Sequence, residues 1–165
     1  MDNCGAMERL KARFTATNVE YVVGSFPDMR PIRMYSKILI YSVLHCLSSL
    51  DQVEEFVFAA LEFLEPGGRM LLGDLPNSDL KARFLNSDSG RIFDAEWQAS
   101  RKPLVRAASE FQSRAAEIGC LGTFDDNFLV SLLCKIRSKG YSTYLVPQKP
   151  LMPFGNTRED IIIAK

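Results

Sequence analysis

Leu64-Glu65-Pro66-Gly67-Gly68-Arg69-Met70-Leu71-Leu72-Gly73-Asp74 is the stretch in which a helical pattern gives way to an extended one. Ahead of it, Val53, Phe56, Val57, Ala60, Leu61 and Leu64 recur on one helical face. That helix opens on Ser49-Leu50-Asp51-Gln52, a capping-box pattern in which a hydroxyl and an amide satisfy free backbone donors. Pro66-Gly67-Gly68 is expected to end the helix and turn the chain. Met70-Leu71-Leu72-Gly73 then has the apolar continuity of a strand buried on both faces of a parallel sheet, with Asp74 at its carboxyl end.

Working outward, Ile38-Leu39-Ile40-Tyr41 is a second run of this kind and predicts a strand over Lys37–Tyr41. Further upstream, Val19–Val23 is β-branched and aromatic and stops at Gly24, which predicts another strand. Met7, Leu10 and Phe14 share helical spacing after Asp2. Downstream, Pro76 to Gly122 changes character, with polar loop residues around Asn86–Gly90 and the lone Trp97. A helix follows, with Pro103 in its first turn, Leu104, Ala108, Phe111, Ala115 and Ile118 on one face, and Gly119 as its cap. A last helix is expected from near Thr123, burying Leu129, Leu132, Leu133 and Ile136 and stopping at Gly140. Tyr141–Val146 and Asp160–Ala164 read as closing strands, and with no helix between them they should pair antiparallel. Strands alternating with helices argue for a three-layer α/β fold whose sheet is mostly parallel and ends in an antiparallel hairpin. With no repeat and no low-complexity linker, residues 1–165 read as one domain, in which 76–122 is a helical insert or lid.

Composition narrows the classes. The 165 residues carry 20 Lys and Arg against 20 Asp and Glu, so no global field exists to hold nucleic acid or an anionic membrane. Cys4, Cys46, Cys120 and Cys134 show no paired spacing and there is a single histidine, which argues against a zinc site. Cys46 and Cys134 lie in apolar stretches, where a free thiol acts as a small hydrophobe, and a reducing, cytoplasmic setting is expected. No segment has the length and apolarity of a membrane span, and the N-terminus lacks the layout of a signal peptide.

In this order the motifs resemble the second part of a class I S-adenosylmethionine-dependent methyltransferase. Asp2-Asn3-Cys4 through Met7-Glu8 is similar to the acidic end of that family's second strand and the helix after it. Gly24-Ser25 resembles the end of the third strand. Tyr35-Ser36-Lys37-Ile38-Leu39-Ile40-Tyr41-Ser42-Val43-Leu44-His45 resembles the fourth-strand motif with its leucine-histidine helix start. Leu64 to Leu72 resembles the junction before the fifth strand, and Arg158-Glu159-Asp160-Ile161-Ile162-Ile163 the seventh, antiparallel strand. The resemblance thus implies a Rossmann-like methyltransferase sheet truncated at its N-terminus, because the family's first strand and Gly-rich cofactor turn have no counterpart in this sequence. Ser25 and Ser36 stand where the family commonly has aspartates.

The resemblance also implies site residues, each with an ordinary structural alternative. Asp2 would hold the cofactor ribose, since a carboxylate accepts from both hydroxyls of a vicinal diol, or would cap the first helix. Asn3, Ser25 and Phe26 would border the adenine, or serve as loop caps and a core phenylalanine. Tyr41 and Ser42 lie at a strand's carboxyl end, where open α/β sheets bind ligands, or Tyr41 is a sheet-end tyrosine packed in the core. His45 would orient or deprotonate an acceptor hydroxyl, or be a buried histidine satisfied by a backbone carbonyl. Asp74 would accept a proton or hold the acceptor, and Asn77 faces the same crevice or caps the next helix. Arg158 and Glu159 read as a surface pair. Phe93 and Trp97 belong to a lid over the acceptor or to an added helical layer. The function implied is methyl transfer from S-adenosylmethionine to a small-molecule acceptor. The rival is a non-catalytic module for binding or oligomerisation, including a homodimer formed through an exposed sheet edge.

Overall fold

The computed structural model describes residues 3–13, 19–100, 117, 119–152 and 154–165. Contacts divide the chain into two units, Met1–Ile32 and Arg33–Lys165.

In the first unit, α1 spans Asn3–Arg13 and ends on Lys11 and Arg13, cations suited to the negative end of a helix dipole. Asp2 and Phe14, expected at its two ends, lie outside the described residues. Val19–Val23 is not a strand. Val19, Val22 and Val23 are 45%, 55% and 51% exposed, and among the described residues no strand pairs with their backbone groups. Strand propensity without a ladder partner leaves an extended loop. Beyond it Met29 N–H donates to the Ser25 carbonyl at 2.7 Å, closing a turn.

The second unit is built on a sheet of four strands: β1 (Tyr35–Tyr41), β2 (Leu64–Pro76), β3 (Ser142–Pro147) and β4 (Arg158–Ala164), in the order β1-β2-β4-β3. β1 and β2 are parallel, with α2 (Leu50–Glu62) as their crossover. β4 is antiparallel to both β2 and β3, so the closing strands pair as expected and only one of three pairings is parallel. Ser49 caps α2 by accepting from the Gln52 N–H. The Gln52 side chain reaches back one residue further than expected, to the N–H and hydroxyl of Ser48 at 3.2 and 2.8 Å.

The helix stops at Glu62, with Phe63 as cap, so Pro66-Gly67-Gly68 does not end it. These residues lie inside β2, where they make an irregularity in its pairing with β1. Gly67 has a φ of +76°, and a side chain at Gly68 would meet the Glu65 carbonyl at 2.8 Å. Lys165 ties the bend down through both backbone groups, with Gly67 N–H donating to its carbonyl at 3.0 Å and its N–H donating to Gly68 at 3.1 Å.

The region 76–122 begins with α3 (Ser78–Asn86) and α4 (Asp88–Ser100). The polar residues expected as a loop around Asn86–Gly90 shrink to the single link Ser87. A side chain at Gly90 would meet the Phe84 carbonyl at 1.8 Å, and this close approach lets the two helices join so abruptly. The helix expected from Pro103 to Ile118 lies almost entirely outside the described residues. The last helix, α5 (Asp126–Ser138), is capped by Asp125 rather than starting near Thr123.

One face of the sheet packs on helices. Ile38, Met70, Ile163 and Thr143 align across it, followed by Ile40, Leu72, Ile161 and Leu145. Val53, Val57 and Leu61 of α2 are buried with Leu129, Leu132 and Ile136 of α5 to complete this core. Each such side chain contributes about 1.5–3 kcal/mol on leaving water. The opposite face stays open, with Leu39 68% and Tyr144 56% exposed. Among the described residues of this unit, helices therefore cover one face of the sheet, where layers on both faces were expected. Cys46 and Cys134, which lie in apolar stretches of the sequence, are exposed free thiols. No helix among the described residues is long and apolar enough to cross a membrane.

Candidate functional site

The carboxyl ends of the parallel strands β1 and β2 carry the most unusual backbone in the unit. Ser42 and Asp74 have φ angles of 59° and 63°, and they are the two non-glycine residues with positive φ among those described. A left-handed conformation costs an L-residue about 1–2 kcal/mol and persists only where surrounding bonds enforce it. Here they do. The Ser42 hydroxyl donates to Asp74 Oδ2. Ser42 N–H donates to the Gly73 carbonyl at 3.1 Å, and Asp74 N–H donates to Asp160 Oδ1 at 2.9 Å. The two strained residues thus hold each other across the strand pair, and β4 holds them from the other side.

Arg158 completes the cluster. Its guanidinium lies 2.5 Å from Asp74 Oδ2, with side-chain exposures of 18% and 12%, so this is a largely sheltered ion pair. The same guanidinium lies 4.6 Å from the Phe154 ring centre, a cation–π contact that restrains its plane. Asp160 Oδ1 also accepts from the Gln148 amide at 2.9 Å. Arg158 and Glu159 are therefore not a surface pair with each other. Strand alternation sends them to opposite faces, where Arg158 meets Asp74 and Glu159 accepts from Asn77 Nδ2 at 2.6 Å.

His45 lies in a 3-10 turn, Leu44–Cys46, just past β1. Its own carbonyl accepts from Gly122 N–H at 2.9 Å. The Nδ1 atom is buried and has no hydrogen-bond partner, so the expectation of a histidine satisfied by a backbone carbonyl does not hold. Burial, and then the Arg158 guanidinium, hold the imidazole below its ordinary value of 6.5, against an opposing pull from Asp74. A neutral ring is better served by leaving a bare lone pair at the buried Nδ1 than by stranding an N–H there, so the proton belongs on Nε2. In that form Nε2 donates. A base acting through Nε2 would need an acceptor behind Nδ1 to hold the other tautomer.

Asn77 is almost fully buried and fully used. Its carbonyl oxygen caps α3 by accepting from the Asp79 and Leu80 N–H groups at 2.9 and 3.1 Å. Its amide donates to Asp126 at 2.7 Å as well as to Glu159. The capping role is the one found, and with it a clasp between β2, α5 and β4. The Asp126 carboxyl is held below its ordinary range first by Arg83 and then by Asn77.

Of the residues expected at the site, Ser42 and Asp74 bond directly. Tyr41 neighbours them, its ring lying so close over Gly73 that a Cβ there would meet it at 2.4 Å. His45 is within electrostatic reach of Asp74 and Arg158. Asn3 is the first residue of α1, and Ser25 and Phe26 form the turn before Met29, all in the first unit. Phe93 and Trp97 of α4 stack at 6.3 Å, with Phe84 of α3 edge-on at 5.6 Å, a cluster left partly exposed. Among the described residues no group of three or more His, Cys, Asp or Glu is arranged to hold a metal ion. Compared with models of known protein families the chain matches none, and a search of curated proteins gives no match.

Proposed function

We propose that the chain belongs to an S-adenosylmethionine-dependent methyltransferase domain of class I, with a small-molecule acceptor held at the carboxyl ends of β1 and β2. The observation that carries this is the strained, mutually bonded pair Ser42 and Asp74 at the end of two adjacent parallel strands. Open α/β sheets bind their ligands there, and strain of this kind collects at binding sites. The antiparallel last strand beside a parallel pair agrees with the strand order the motifs resemble. Methyl transfer from a sulfonium asks the protein mainly to align the acceptor and exclude water. In this reading Arg158 fixes the Asp74 carboxylate, Asp74 orients the Ser42 hydroxyl, and His45 Nε2–H is a donor for the acceptor.

One observation favours a second reading, a binding or oligomerisation module without catalysis. Ser42 and Asp74 are spent on each other and on Arg158, and Tyr41 closes over Gly73. The residues of the second unit therefore do not complete a cofactor cradle as they stand. Association would then run through a sheet edge, and β1 is an edge strand among those described. Calorimetric titration of the full chain with S-adenosylhomocysteine separates the two readings. Saturable heat is expected for the methyltransferase. No heat at millimolar ligand, with the chain folded by circular dichroism, leaves only the module.

A further inference from the structure

The open face of the sheet has an ordered layout. The register sets Leu39, Leu71, Ile162 and Tyr144 in one row across all four strands. A groove of about 400 Å³ runs along it, lined by Lys37, Leu39, Arg69, Leu71 and Ile162. An apolar row of this width marks an interaction surface more often than a solvated one.

The ends of the face carry opposite charges. Lys37 and Arg69 are register partners, so two cations stand directly side by side, and no acidic partner for either is found among the described residues. Like charges in that position repel and gain from an outside anion. Two residues along from Ile162, on the same face of β4, lies Asp160, whose carboxylate accepts, among the described residues, from the Asp74 N–H and the Gln148 amide. Beside it is the Tyr41 ring over Gly73. The face is therefore basic at one end, apolar in the middle, and acidic and aromatic at the other.

We propose that two copies of this chain pack their open faces together about a two-fold axis that lies between the sheets and runs across the strands. This operation lays Leu39, Leu71, Ile162 and Tyr144 over their own equivalents in an aligned sheet sandwich, with sheets about 10 Å apart. It also reverses the strand direction, so Lys37 of one copy stands over Tyr41 of the second and Arg69 over Gly73, one strand from Asp160 and within reach of its carboxylate for a side chain of that length. A self-complementary patch is what an isologous dimer requires. An anionic lipid surface or an acidic helix would answer the two cations and leave Asp160 unmatched. The second copy answers both ends. This dimer does not depend on methyltransferase activity, and it uses the face of the sheet where the module reading uses an edge.

The test is sedimentation velocity of the full chain over a range of concentrations, at low and at high salt. A dimer is expected, with Leu39→Lys giving a monomer and Arg69→Glu weakening association by about tenfold, an effect that shrinks at high salt. Leu39 is exposed in the monomer, so its replacement leaves the fold intact, checked by thermal melting. Val130→Lys, on the exposed side of α5, should leave the dimer unchanged. A chain that stays monomeric at every concentration overturns the proposal, as does a dimer that survives Leu39→Lys combined with Tyr144→Glu.

Discussion

Arg158 is the single residue on which the strand-end cluster depends. It neutralises Asp74, and Asp74 in turn holds Ser42. Arg158→Met removes the guanidinium that pairs with Asp74 and lies over Phe154, and strands a carboxylate that is 8% exposed, so stability should fall by about 2–3 kcal/mol in urea unfolding. Asp74→Asn, which leaves the cation unpaired, should cost a similar amount, and the double variant less than the sum. His45 gives a pH signature. Its native pKa lies below 6.5, so on acidification the unfolded chain takes up the proton first. The His45 contribution is thus intact above about 6.5 and is lost as pH falls through the native value. The urea midpoint of the wild type should drop more between pH 7.5 and 5.5 than that of His45→Gln. At this scale Ser42, His45 and Asp74 were legible because each follows a recognisable strand. Arg158 was not, since its partner lies 84 residues away and no local pattern names it.

Elements are joined here by single residues placed at their ends. Ser49→Ala removes only the α2 cap and should cost about 1 kcal/mol. Asn77→Ala removes the α3 cap and the amide donor to Glu159 while Asp126 keeps Arg83, and thermal unfolding should show a loss of about 1–3 kcal/mol. Gly90→Ala drives a methyl into the Phe84 carbonyl and should part α3 from α4, read as lost Phe84–Phe93 packing in near-ultraviolet circular dichroism. Caps that act within a few residues, at Ser49 and Asn77, could be read from the sequence. Boundaries set by distant partners could not. Pro66-Gly67-Gly68 looks like a helix stop, yet Lys165 pairs with the bend and recruits it into β2. Val19–Val23 has strand residues but, among the described residues, no strand to pair with, and Asn86–Gly90 has loop residues at a helix junction that only a glycine allows.

For the whole molecule, the alternation of strands and helices foretold an α/β sheet with an antiparallel finish. It did not foretell that, among the described residues, helices cover one face of that sheet. Leu39 and Leu71 belong to the same unbroken apolar runs as Ile40 and Leu72, and continuous hydrophobicity suggested burial on both sides. Instead one face meets α2 and α5 and the other remains open. The ligand-binding reading concerns the carboxyl ends of β1 and β2, and the open face adjoins that region at Tyr41, Gly73 and Asp160. The most direct test is a map of backbone amide shifts as S-adenosylhomocysteine is added to the isotopically labelled chain. The account predicts saturable shifts concentrated at residues 41–46 and 73–75 and at Arg158. A spectrum that stays unchanged, or shifts that gather elsewhere with these amides still, would contradict it.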